Sequence, residues 1–253
     1  MNTGRRQFSK KLFGTVLSFS LLESLIQTDA IAKGLQPVTS HWAKQLNDYC
    51  LDLKTQSISQ VAWQNHVEAL FGKVPLHDLL AFIDFEQLTG KFHMPDLGVG
   101  TKKILFPKLE CLPQQYAFHK KLFGLQKDRA IIPHGHSNMA SAHLVLKGEF
   151  ELRHYDKVEE EKDHLIIKPT IEKTANVGSC SSISDEKDNI HWFINRSEQA
   201  FTFDVIMLDL RHKAYDIHNI DPLTSEKAGD GLLRARKLDV DTALKKYGKS
   251  IHH

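Results

Sequence analysis

The sequence predicts a mainly β protein, a jelly-roll barrel with an N-terminal α-helical layer, and three observations predict it. From Gly98 onward, short runs rich in β-branched and aromatic residues are broken at close intervals by Gly, Pro, Asn and Asp, the pattern of an antiparallel barrel or jelly roll. Between residues 38 and 88 the apolar residues instead recur at helical spacing. His134 and His136 stand at alternate positions of a strand-like run that opens with Ile131, Ile132 and Pro133. Side chains two apart on a strand share a face, so both imidazoles can enter one barrel interior.

The chain has 253 residues, 41% of them hydrophobic, enough for one main domain with appendages. Residues 1–32 have the form of a twin-arginine export signal. Arg5 and Arg6 are followed by Phe8 and by Lys10, residues 12–25 form a moderately apolar run, and Ala30-Ile31-Ala32 supplies a small-x-small cleavage pattern. An ordinary secretory signal and an uncleaved anchor are the other readings; Glu23 and Asp29 weigh against a spanning helix. Export implies a periplasmic or secreted bacterial protein that meets the export machinery and keeps no stable membrane span after cleavage. Taking the leader's four basic and two acidic residues from totals of 33 and 31 leaves 29 of each. Such a balance makes no electrostatic case for nucleic acid or an anionic membrane.

Residues 33–97 read as a helical layer packed on the outside of the main domain, in three helices. Thr39 or Ser40 is placed to cap the first and Ser57 or Ser59 the second, with Gly72 and Pro75 separating the second from the third. The histidines of this region, His41, His66 and His77, read as surface or packing residues. Residues 98–210 read as the barrel, with strands over 101–109, 115–125, 129–136, 143–147, 149–155, 165–168, 170–175, 189–194 and 200–210. Residues 158–163 and 180–188 read as loops, one highly charged and one rich in Ser and acidic residues. Residues 211–253 read as a polar tail that ends in a short helix over 240–247, with no function assigned. Cys50, Cys111 and Cys180 allow at most one disulfide and have no metal-motif spacing.

A third ligand to join His134 and His136 is His191, flanked by apolar residues on another strand-like run. Three imidazoles with open positions suit Fe, Zn, Cu or Ni better than Mg or Ca, which prefer oxygen. His143 lies two positions after Ser141 and would face the same interior; a fourth ligand, a substrate contact and a core histidine are all open to it.

His134, His136, Gly148, His191 and Asn195 together resemble the two split motifs of the cupin superfamily, whose double-stranded β-helix holds a metal in the barrel mouth. The usual glutamate of the first motif would fall at Ser141, so the resemblance is to the three-histidine variety. Pro133, His134, His136, Met139, Gly148, Tyr155 and Asp156, with Asn189-Ile190-His191, Phe193 and the strand Phe203-Asp204-Val205-Ile206, resemble the thiol dioxygenases of the cysteamine dioxygenase and plant cysteine oxidase type. The resemblance covers about residues 98–210. It implies Fe(II) as cofactor, with Zn, Ni or Cu as the other candidates, a small-molecule substrate with O2, and a proton-handling role for Asp204. That residue also reads as an ordinary strand-surface carboxylate. The chain departs from the family where Met207-Leu208-Asp209-Leu210 replaces a tyrosine-bearing segment. The functional expectation is an exported metal-dependent cupin, a non-haem Fe(II) dioxygenase acting on a small thiol or similar chelating substrate. The alternatives are a cupin that binds a small ligand without oxidative turnover, and a Zn or Ni isomerase or hydrolase.

Overall fold

The computed structural model describes residues 29–249, with side chains from residue 37 onward. The twin arginine and the apolar run of the leader lie outside the described residues, and Ala30-Ile31-Ala32 falls in the first turn of a helix. That helix, α1, spans Asp29–Lys54 and runs through Pro37. Thr39 and Ser40 are therefore buried inside it and do not cap it. A proline inside a helix loses one backbone hydrogen bond and crowds the preceding turn, which is why the sequence placed the helix start after it. Helix α2, Gln60–Phe71, begins at Ser59, whose hydroxyl accepts from the Ala62 N–H at 3.1 Å, the cap expected there. Two short helices follow, α3 at Leu76–Phe82 and α4 at Phe85–Gly90.

The rest is mainly β. Eleven strands are described: β1 Gly100–Lys103, β2 His119–Gln126, β3 Ala130–Ser137, β4 Ala140–Lys147, β5 Phe150–Glu160, β6 His164–Ala175, β7 Cys180–Ile183, β8 Ile190–Asn195, β9 Gln199–Met207, β10 Asp216–Lys227 and β11 Leu233–Leu238. One sheet has the order β1-β2-β9-β4-β7, and β10-β11-β6-β5-β8-β3 close on themselves. From β3 to β9 the chain passes repeatedly between the two, as in the double-stranded β-helix expected from the sequence.

The helical layer covers the outer face of the five-stranded sheet. Trp42, Leu46, Trp63 and Val67 share a core with Leu122, Leu144, Phe203 and Val205, and the rings of Trp42 and Phe71 lie 5.9 and 6.0 Å from that of Phe203. Strand alternation then turns Ser141 and His143 of β4, and Thr202 and Asp204 of β9, to the inner face. The helices, in covering one side, leave the polar side to line the interior.

The barrel is longer than the sequence suggested. β10 pairs with β3 and β11 with β6, so residues expected to form a tail complete the closed sheet. β10 carries Pro222 and a register shift between Asp221 and Glu226, and both strands are rich in charge, which hides the two-residue period. Residues 158–160, expected in a loop, extend β5; β6 continues through Pro169 as one strand; Cys180–Ile183 pairs with β4. Conversely, β1 stops at Lys103 and β2 begins at His119. Helix α5, Val240–Tyr247, matches the expected final helix; Asp239 caps it by accepting from the Thr242 N–H at 2.9 Å, and Tyr247 packs on Trp192.

Gly148 makes the turn from β4 to β5 at φ +82°. A Cβ there would stand 2.6 Å from Ala200 Cβ and 2.7 Å from the Gln199 carbonyl oxygen. Gly148→Ala therefore combines left-handed strain with a clash against β9, and a loss of about 2 kcal/mol or more is expected in chemical denaturation.

Candidate metal centre

The β3 segment is held in place before any metal is considered. Asn189 accepts from the His136 N–H at 3.2 Å and donates to the His136 and Ser184 carbonyls at 2.9 and 3.0 Å. Gly135 lets this approach happen, since a Cβ there would fall 2.8 Å from Ile190 and 2.9 Å from the Asn189 side-chain oxygen. His134 is then directly opposite His191 of β8. Paired residues of an antiparallel ladder share a face, so three imidazoles converge.

His191 Nε2 lies 3.1 Å from His134 Nε2 and 3.4 Å from His136 Nε2, and the ligand atoms of all three lie within 4.8 Å of one another. An ion with metal–nitrogen bonds of about 2.1 Å places its ligands about 3.0 Å apart at right angles and about 3.4 Å apart in a tetrahedron. His134 Nδ1–H donates to the Ile132 carbonyl at 2.7 Å, which leaves the Nε2 lone pair for an ion. Burial lowers His134 to about 4 and holds His136 and His191 well below the usual histidine value, so all three remain neutral donors. These residues fit a divalent transition ion. Nδ1 of His136 and of His191 is buried without a hydrogen-bond partner among the described residues, so His134 alone shows the partner that orients a metal-bound imidazole.

The facing sheet brings a second polar group. His143 Nδ1–H donates to Asp204 Oδ2 at 2.8 Å, the Thr202 hydroxyl donates to Asp204 Oδ1 at 2.5 Å, and Ser141 Oγ lies 3.1 Å from His143 Nε2. Asp204 is 0% exposed, which removes the reading of a strand-surface carboxylate. His143 has its ring 4.9 Å from that of His191, yet both its nitrogens are engaged and it stands outside the converging trio. His66 packs against Tyr49, and His77 contacts Asp78.

Both groups line one cavity of about 670 Å³. It is lined largely by apolar side chains, and β10 and the segment before it contribute Tyr215, Ile217 and Asn219. Ile217 pairs with His136 and Asn219 with His134, so a stretch without assigned function forms a wall beside the histidines. The alternation Ile217-His218-Asn219 was the available signal, and the polar surroundings masked it.

His154 of β5 was also missed. It pairs with His191, is 0% exposed, and has no hydrogen-bond partner at either nitrogen among the described residues. Burial pushes it down to about 3, with His143, Lys173 and Lys187 adding to the effect. The folded protein keeps it neutral where the unfolded chain, titrating near 6.5, would take up a proton. Its contribution to stability is thus complete above about pH 6.5 and is lost as the pH falls toward about 3, at about 1.4 kcal/mol per pH unit. His154→Leu should therefore lose about 2 kcal/mol less than wild type between about pH 7 and about pH 5, in denaturant titrations of metal-free protein.

No protein-family profile and no curated protein matches the chain. Solved structures do show similarity. For procruciferin, the 11S globulin of Brassica napus, identity is 12% and the TM-score 0.31, over 40% of this chain and 22% of that one. For KdgF from a Halomonas species they are 11% and 0.30, over 43% and 77%. For a cupin superfamily protein from Desulfitobacterium hafniense they are 9% and 0.29, over 44% and 78%. The chain thus spans about a fifth of procruciferin's length, and at such scores the likeness bears on neither substrate nor chemistry. No helix among the described residues is long and apolar enough to cross a membrane.

Proposed function

We propose that the chain is a metal-dependent cupin enzyme, a non-haem Fe(II) dioxygenase acting on a thiol or another chelating substrate. The observation that carries this reading is the meeting of three neutral imidazole nitrogens in a cavity that Ser141, His143 and Asp204 also line. His134, His136 and His191 would hold the ion without adding negative charge, so an anionic donor from the substrate is attracted to the same place. A bound iron would supply the redox chemistry with dioxygen. The substrate's proton passes to Nε2 of His143 by way of the Ser141 hydroxyl, which holds that nitrogen, while Asp204 fixes the ring's tautomer from Nδ1 and steadies its positive charge. Apolar walls keep water from the reacting groups.

One geometric feature favours a second reading. Ser141, His143 and Asp204 stand in the order nucleophile, base and orienting carboxylate, which suits a hydrolase whose chemistry involves no redox step. Oxygen uptake by anaerobically purified, iron-loaded protein decides between them. Uptake that depends on an added thiol and disappears in His191→Ala supports the dioxygenase; bound zinc with no uptake after iron reconstitution overturns it.

The proposal includes export of the folded protein through the twin-arginine route, which rests on Arg5, Arg6 and the apolar run after them. Replacing both arginines by lysine should retain the protein inside the cell, whereas continued export would point to the general secretory route.

A further inference from the structure

The cavity is much larger and more apolar than a small hydrophilic thiol requires. Its volume of about 670 Å³ falls in the range that encloses most of a drug-sized ligand, and a small polar molecule would leave water against Phe123, Ile131, Ile132, Met139 and Ile206. The apolar lining continues outward to the mouth, where Ile217 is 45% and Tyr215 46% exposed. Exposed apolar residues gathered at a cavity mouth mark a place where an apolar ligand enters.

The polar groups of the cavity are arranged asymmetrically. Across the inner face of the five-stranded sheet, Lys121 pairs with Asp204 and Asp204 with His143. Both oxygens of Asp204 are occupied by His143 and Thr202. Lys121, half-buried, lines the cavity and has no hydrogen bond or ion pair among the described residues. Lys121 also lines the neighbouring groove over residues 103–121, so it offers an unpaired positive charge at the edge of a largely apolar cavity, where an anionic group of a ligand can pair with it.

We propose that the substrate is an apolar acid: an alkyl or aromatic body enclosed between the two sheets, with an anionic group of the carboxylate class seated on Lys121. This rests on the reading of the cavity as the active site and narrows its thiol or other chelating substrate to an amphiphile. Calorimetric titration with straight-chain carboxylates from butanoate to dodecanoate tests it, on the protein as purified and after chelator treatment, with metal counted in both. Affinity is expected to rise about 4-fold per added methylene until the cavity is filled. The matching primary alcohols should bind roughly 10-fold more weakly or worse. Lys121→Gln should erase the difference between acid and alcohol, and Ile217→Asp, at an exposed position, should flatten the series. A series flat in wild type, or acids and alcohols bound alike, overturns the proposal. One ion per chain with a flat series refutes the substrate class alone. No ion with a steep series in both preparations refutes the metal reading and leaves the apolar acid in place.

Discussion

His191→Ala is expected to abolish stoichiometric metal binding, because this residue supplies the nitrogen that stands 3.1 and 3.4 Å from the other two. Loss of a partner that merely orients a ligand costs about 10- to 100-fold in affinity, and loss of the ligand itself should cost more. His134→Ala and His136→Ala should behave in the same way. A variant that retains one ion per chain in metal analysis would remove its residue from the ligand set. The contrast is His143→Ala, which should leave the ion largely bound, since the His143 nitrogens face Asp204 and Ser141.

Asp204→Asn is expected to lower kcat by about 10²- to 10⁴-fold with the metal still at one per chain. The substitution keeps the shape but removes the charge that holds the tautomer of His143 and steadies its protonated form. KM should change little, because Asp204 is fully engaged by His143 and Thr202 and has no free oxygen to offer a substrate. Steady-state kinetics on iron-loaded variant and wild type make the comparison. Unchanged kcat with retained metal would reduce Asp204 to a structural partner of β4 and β9.

The site was legible wherever local pattern determines geometry. His134 and His136 share a face because a strand repeats every two residues, and Gly148 could be read as a turn from its position between two half-apolar runs. Ser59 and the helix at Val240–Tyr247 followed from capping and spacing. What was hidden depends on register between distant strands. Nothing near His154 shows that it pairs with His191, and nothing near Ile217 shows that it lies beside His136. β10 and β11 were missed for a related reason: their outward residues are charged, and Pro222 interrupts the first, so tertiary pairing, not propensity, makes them strands. The start of α1 was misjudged because Pro37 reads as a boundary and is tolerated inside the helix.

The most direct test of the central claim is X-ray absorption spectroscopy of the full chain after anaerobic iron loading, with the metal content of the same sample measured. One iron per chain is expected, with three histidine nitrogens at about 2.0–2.2 Å, falling to fewer nitrogens and substoichiometric iron in His191→Ala. Absence of iron under these conditions, or an ion surrounded by oxygen alone, would contradict it.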